Sequence, residues 1–282
     1  MTPVGLDLTD AVVVVTGGGS GIGAALAERF VAAGARVVVN DLDPAAAEAV
    51  AARTGALAVA GDAADPDFVH RLVDRVWTEL GGLDLFCANV GIAPEGGADA
   101  PVEVWTTAWR VNVMSQVHAA RALLPRWLAD GQGRLLVTAS AAGLLTMLGN
   151  APYSVTKHAA LGFAEWLRAS YEHRGIVVQA LCPQGVRTPM LARSGPMGGA
   201  LLDDGALTAD QVADSVLAAM ADDRFLVLPH PEVADFYLHR ASDPDRWLSA
   251  MNRLQQRHES APTHVRPGAE GAVMGERGKP AS

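Results

Sequence analysis

Short runs of apolar residues recur along the chain at Val12 to Val15, Arg36 to Val39, Leu57 to Ala60, Leu83 to Cys87, Leu135 to Thr138, Ile176 to Leu181 and Phe225 to Leu228. Most are continuously apolar rather than alternating, which is how strands covered on both faces read. Between them, residues such as Ile22, Leu26 and Phe30, or Val69, Leu72, Val76 and Leu80, recur at helical spacing, so each intervening segment is expected to bury one helix face. Strands alternating with helices predict an α/β fold: a doubly wound, seven-stranded parallel sheet with helices on both faces. In such a sheet the ligand sits beyond the carboxyl ends of the strands.

After Pro229 the pattern changes. Short helices are expected, with Ser242 capping a turn that has Asp245 three residues on, and with Trp247, Met251 and Leu254 sharing one face. The chain therefore reads as one domain over residues 1–259, its last part (about 230–259) a helical extension. Residues 260–282, dominated by Pro, Gly and isolated charges, read as a mobile tail.

Half of the 282 residues are apolar, enough for a large core. A net charge of −9 argues against a nucleic-acid or anionic membrane surface and leaves a small molecule as the partner. No run reaches the ~18 apolar residues of a membrane span, and no basic flank precedes an apolar segment at the start, so a cytoplasmic location is expected. Cys87 and Cys182 each end an apolar run without metal-ligand spacing. They are expected to be buried thiols in a reducing compartment, and no metal site is expected.

The stretch VVVVTGGGSGIGAALAERF runs strand, glycine turn, helix, with Gly17, Gly21 and Gly23 spaced G-x-x-x-G-x-G. Glycines admit a pyrophosphate close to the backbone, and the helix N-terminus supplies N–H donors and positive dipole character. The absence of Gly-Lys-Ser/Thr excludes a P-loop. Asp41, ending the second strand, stands where an acid can accept hydrogen bonds from an adenosine ribose.

Further along lie Asn89 with Gly91 in CANVG, Asn112 in RVNV, Ser140 in LLVTASAAG, and Tyr153 with Lys157 in Y-x-x-x-K. Together with T-G-x-x-x-G-I-G at Thr16 to Gly23, this ordered set resembles the short-chain dehydrogenase/reductase family over about residues 8 to 230. The resemblance implies a Rossmann-type fold, NAD or a related dinucleotide as cofactor, and a homo-oligomer, dimer or tetramer, built on helices 101–129 and 152–173. It places Gly17, Gly19, Ser20, Gly21, Ile22, Gly23, Asp41, Asp62, Ala63, Asn89, Gly91, Tyr153, Lys157, Pro183, Val186 and Thr188 against the cofactor. Asn112, Ser140, Tyr153 and Lys157 become the catalytic set, with Ser140 holding the substrate oxygen and Asn112 anchoring a water that links Lys157 to solvent. Two departures stand out. Ala88 and Val90 replace residues of the usual Asn-Asn-Ala-Gly, and Gln184 in CPQG occupies a position that is usually glycine, where a positive φ would be strained.

Tyr153 and Lys157, four apart, share a helix face. A tyrosine near pKa ~10 is a poor base at neutral pH. An ammonium at ~4 Å in a partly shielded site stabilises a phenolate by about 4 kcal/mol, or ~3 pKa units. These residues read as an NAD-dependent oxidoreductase that interconverts a secondary alcohol and a ketone, with Tyr153 as general acid/base. NAD is expected over NADP because neither TGGGSGIG nor NDLDP contains a cation to meet a 2′-phosphate. The substrate is expected to be apolar. Its pocket wall would come from 144–150, 92–97 and 190–202, with Leu145, Met147, Met190, Leu191 and Met197. An NADP-dependent carbonyl reductase, a non-catalytic dinucleotide sensor and a dimerisation scaffold are the alternative readings.

Overall fold

The computed structural model describes residues 5–193 and 205–260. Strands β1 (Val12–Thr16), β2 (Arg36–Asp41), β3 (Leu57–Ala60), β4 (Leu85–Ala88), β5 (Gly133–Thr138), β6 (Ile176–Leu181) and β9 (Leu226–Val227) form one sheet in the order β3-β2-β1-β4-β5-β6-β9. Every pairing is parallel. The seven apolar runs are these seven strands. The sheet winds outward from β1 in both directions, so the switch point lies between β1 and β4, and the crevice beyond their carboxyl ends is where a ligand of this fold binds.

The continuous apolar runs follow from cover on both faces. Along β1, Val12 and Val14 enter one core with Phe86, Leu135 and Leu123, while Val13 and Val15 enter the other with Leu26, Phe30, Leu85 and Val216. The first core is covered by α3 (Pro66–Leu80), α5 (Ser115–Asp130) and α7 (Ala151–Tyr171), and the second by α1 (Gly21–Ala32), α2 (Pro44–Thr54) and α9 (Ala209–Met220). Helices α2 and α3 both start on Asp-Pro, with Asp43 and Asp65 accepting the N–H two residues on and proline in the first turn. Cys87 and Cys182 are free and buried.

Four features differ from expectation. The segment read as one helix from residue 101 begins as α4 (Val102–Trp109), passes through a π-helical stretch at Arg110–Met114 and continues as α5. Two further strands, β7 (Val186–Arg187) and β8 (Leu207–Thr208), pair in a small sheet of their own, and at two residues each they carry no readable period. In the extension, α10 (Glu232–Ser242) and α11 (Pro244–Ser260) are both helical, but Asp243 rather than Ser242 caps α11, accepting from Arg246 N at 3.0 Å. Pro244 then takes the first helical position, where its missing N–H costs nothing. Finally, Gln184 is not among the described residues with positive φ. The tail expected beyond 260 and the part of the pocket wall from 194 to 202, with Met197, lie outside the described residues.

Phe30, fully buried on α1, fixes that helix to the sheet below the glycine turn. Phe30→Ala is expected to lower the unfolding free energy by about 3–5 kcal/mol in urea titration. A loss under ~1 kcal/mol would mean that α1 is held elsewhere.

Candidate active site

The β1–α1 turn is made of backbone. Gly17 has φ +60°, and a Cβ on Gly23 would lie 2.1 Å from the Gly17 carbonyl oxygen. Any side chain at residue 23 would push the turn off the helix. A Cβ on Gly19 would lie 2.8 Å from Asp41 Oδ2, which accepts the Gly19 N–H at 2.9 Å. Ser20 precedes α1 with an exposed side chain that makes no capping bond, and no acid occupies the first helical turn. The first N–H groups of α1 are therefore left to an outside acceptor, the arrangement that binds phosphate. Thr188 closes the same place from above, its Cγ2 lying 3.0 Å from where a Gly21 Cβ would stand. Ile22 turns the other way and packs on the core.

Asn89 links this turn to the rest of the site. Its Nδ2 donates to the carbonyls of Thr16 and Gly17, both at 3.2 Å, and its Oδ1 accepts from Thr138 Oγ1 at 3.0 Å. Asn112 does the same for the next loop: Oδ1 accepts from Ile92 N at 2.8 Å, while Nδ2 donates to Ile92 O and Thr156 Oγ1. It sits fully buried in the π-helical stretch, whose extra residue per turn re-aims the side chain. Between these loops, a Cβ on Gly91 would lie 3.3 Å from both Asn112 Oδ1 and Lys157 Nζ. Glycine keeps open a small polar space that the amide oxygen and the ammonium share.

Ser140 follows β5, and Tyr153 and Lys157 lie in the first two turns of α7, which starts at Asn150, the cap that accepts from Tyr153 N. Ser140 Oγ accepts from Ala142 N at 3.0 Å and faces the Pro183 carbonyl. Lys157 Nζ, buried, donates to Thr138 O at 2.8 Å and stands 5.7 Å from the Tyr153 ring centroid. The electrostatics differ from the simple expectation of a depressed phenol. Burial pushes the Tyr153 hydroxyl up, and its interaction with the Ser140 hydroxyl offsets only part of this, so it remains raised. Burial also pushes Lys157 down to about 8. The ammonium is turned toward the Thr138 carbonyl, and burial is the larger influence on it. Burial pushes the adjacent Cys182 thiol up to about 12, so it stays neutral.

The remaining expected residues lie around the rim. Asp62 is pushed up by burial but held lower overall by Arg110, at 2.7 Å, and by the Ala64 N–H, and Ala63 beside it is buried. Pro183 O accepts from Ala141 N, Val186 is buried in β7, and Thr188 caps the short helix α8 (Pro189–Ala192). Leu144 and Leu145 form buried wall in α6 (Ala142–Leu145), and Arg240 of α10 donates to Leu144 O. The extension thus docks behind this wall, with the Trp247 ring 6.4 Å from that of Phe236 and packed on the same core. Sequence reasoning singled out none of Thr138, Thr156 and His230: Thr138 donates to Asn89 Oδ1 and gives its carbonyl to Lys157, Thr156 accepts from Asn112, and His230 accepts a backbone N–H, and none of them belongs to the motifs.

This arrangement, a doubly wound sheet with a glycine turn at its switch point and Ser140, Tyr153 and Lys157 beside it, defines a dinucleotide-type oxidoreductase. Residues 11–197 match the short chain dehydrogenase family, and the chain belongs to that family. It is 38% identical over 229 residues to 1-deoxy-11-beta-hydroxypentalenate dehydrogenase of Streptomyces exfoliatus, covering 78% of this chain and 82% of that protein. To 2,5-dichloro-2,5-cyclohexadiene-1,4-diol dehydrogenase of Sphingobium indicum it is 37% identical over 194 residues, covering 67% and 77%. The crystal structure of a short chain dehydrogenase/reductase from Burkholderia phymatum in complex with NAD superposes with a TM-score of 0.78 at 26% identity, over 92% of this chain and all of that one.

Burying the Lys157 ammonium costs stability below about pH 8, and the cost fades as pH rises from there toward the ordinary lysine value of 10.5. Lys157→Met is therefore expected to stabilise the protein at pH 7 by on the order of 2 kcal/mol, after allowing for the lost bond to Thr138 O. The gain should shrink on moving to pH 10. Thermal unfolding at the two pH values checks this, and a variant less stable than wild type at pH 7 would contradict it.

Proposed function

We propose that the protein is an NAD-dependent oxidoreductase that interconverts a secondary alcohol and a ketone by hydride transfer, with Tyr153 as general acid/base. The observation that carries this reading is the convergence of Ser140, Tyr153 and the buried Lys157 beside an uncapped helix N-terminus and its glycine turn. The turn fits a dinucleotide because Gly19 and Gly23 leave room only for backbone. Gly17, Gly19, Ser20, Gly21, Ile22 and Gly23 would hold the phosphates, Asp41 the adenosine ribose, and Asp62 and Ala63 the adenine. Asn89, Gly91, Pro183, Val186 and Thr188 would line the nicotinamide half. When bound, the nicotinamide supplies the hydride acceptor or donor.

The chain's own residues supply the rest. Ser140 orients the substrate oxygen. Tyr153 takes or returns the hydroxyl proton, and the Ser140 interaction that favours its phenolate works in the needed direction. Lys157 uses one of its three donors on Thr138 O, which leaves two for a ribose hydroxyl and a water. Asn112 keeps one Oδ1 lone pair for that water, at the space beside Gly91, and so extends a proton path away from Tyr153. A mere dinucleotide sensor has no need of a proton relay through Ser140, Tyr153 and Lys157, which favours catalysis over the sensor reading. The names of the two relatives, dehydrogenases of a hydroxypentalenate and a cyclohexadienediol, support a hydroxyl-bearing small molecule as substrate. The apolar wall at Leu144 and Leu145 suits its carbon frame.

Val102 and Trp109 on α4, 72% and 45% exposed, and Val155 and Trp166 on α7, 47% and 56% exposed, give these adjoining helices an apolar outer face. We assign it to a homo-oligomer contact. Among the described residues no helix is long and apolar enough to cross a membrane.

Tyr153→Phe keeps the ring and removes the transferable proton. Turnover of secondary alcohols with NAD should fall by ~10²- to 10⁴-fold, while dinucleotide binding, read by protein fluorescence, stays within about twofold of wild type. Near wild-type turnover would overturn the assignment.

Asp41 decides the cofactor. Its Oδ2 accepts from Gly19 N and its Oδ1 from Asp43 N, which fixes the carboxylate at the turn, and none of the ion pairs among the described residues involves it. A 2′-phosphate there would meet like charge without a cation, so kcat/KM should favour NAD over NADP by at least about tenfold, or ~1.4 kcal/mol. Asp41→Ala should narrow the ratio chiefly by weakening NAD. Equal use of both cofactors by the wild type would contradict this.

A further inference from the structure

The turn from Pro183 to Thr188 joins β6 to β7, and both of its ends touch the site. At one end Pro183 O accepts from Ala141 N beside Ser140, and at the other the Thr188 methyl packs on Gly21. In its middle Gln184 has no positive φ, so a left-handed residue does not fix the path. The second half of the turn is held by Leu207 N, which donates to Gly185 O at 3.0 Å, and by the pairing of β7 with β8, while Gln184 is held by a side chain from another part of the chain: His230 Nδ1 accepts the Gln184 N–H at 3.2 Å. His230 is 4% exposed and stands between β9 and α10. Its backbone is fixed, because β9 is paired to β6 and Val233 N donates to His230 O. An imidazole accepts at Nδ1 only when it is neutral and protonated at Nε2. Nε2 is buried and makes no hydrogen bond of normal geometry among the described residues, although the backbone carbonyls of Gly185 and Gly205 favour a proton on the ring. Glu232 is the charged group that acts on it and also favours protonation. Burial is the larger effect and lowers its pKa, while the Cys182 thiol at the end of β6 stays neutral.

We propose that His230 is a positioning residue for the nicotinamide half of the site: its neutral ring, by taking the Gln184 N–H, sets with the β7–β8 pairing where Val186 and Thr188 stand. This rests on the reading of the site as a nicotinamide dinucleotide site. A histidine that only sealed the core would affect every property of the fold alike. His230 as positioned here affects one half of one ligand, and only while it is neutral.

The experiment compares wild type, His230→Phe and His230→Asn. The first variant keeps the volume and loses the acceptor, and the second restores an acceptor oxygen that does not titrate near neutral pH. Binding of NAD and of ADP-ribose, which lacks the nicotinamide, is followed by protein fluorescence from pH 8.5 down to the lowest pH at which the fold is retained, together with KM and kcat. At pH 7.5 His230→Phe should bind NAD about tenfold more weakly, the size of one buried hydrogen bond, and His230→Asn should recover most of that. ADP-ribose should bind all three proteins alike. Wild-type NAD affinity should weaken only on the acid side of the ordinary histidine range, because burial lowers the ring's pKa, and both variants should lack this acid limb. Unchanged NAD binding in His230→Phe, equal weakening of NAD and ADP-ribose, or an acid limb that survives in His230→Asn would each overturn the proposal while leaving the dinucleotide reading intact. A wild type that binds neither ligand would overturn both.

Discussion

The amide of Asn89 ties the site together. Parallel strands deliver residues to one edge of the sheet, but they do not by themselves fix the loops that leave that edge. Asn89, just past β4, donates to the last carbonyl of β1 and the first of the glycine turn, and accepts from Thr138 at the end of β5. Thr138 in turn gives its carbonyl to Lys157. One planar group thus sets the glycine turn, the strand leading to Ser140 and the buried ammonium relative to one another. Each of these groups would otherwise be a partly buried polar atom in need of a partner, so the network is held by the cost of breaking it as much as by the bonds it makes.

Lys157 shows what such a network supports. An ammonium 3% exposed is unfavourable by itself, and the fold accepts it by aiming Nζ at a carbonyl and at the polar space kept by Gly91. Natural sequences carry local violations of this kind where chemistry requires them.

The sheet was legible because β1, β2, β4, β5 and β6 are covered on both faces, which forces apolar residues at successive positions. The proposed catalytic set could be picked out because its order and spacing form a family pattern, and the structure brings Ser140, Tyr153 and Lys157 together. Other parts were hidden for definite reasons. Strands β7 and β8 are too short to have a period. The π-helical stretch around Asn112 depends on one extra residue per turn, which ordinary helix formers do not betray. The cap of α11 went to Asp243 because Pro244 had to occupy the first helical position. The electrostatics of Tyr153 were misjudged because spacing shows that two side chains share a face, and not where the ammonium points. His230 was invisible because its partner is a backbone N–H 46 residues away, and no side-chain pattern records a backbone partner.

The position of β1 at the switch point also bears on how the chain reaches this fold. Val12 to Thr16 pair with β2 about 24 residues later, but the other edge of β1 waits for Leu85 to Cys87. On a ribosome emitting residues in order, the most apolar strand of the protein would have one open edge through the synthesis of α2, β3 and α3. Parallel pairing over such separations forms slowly, and an open apolar edge invites pairing with another nascent chain. The arrangement that places the ligand crevice between β1 and β4 is therefore also the one that leaves the chain most exposed to misassembly before the crevice exists.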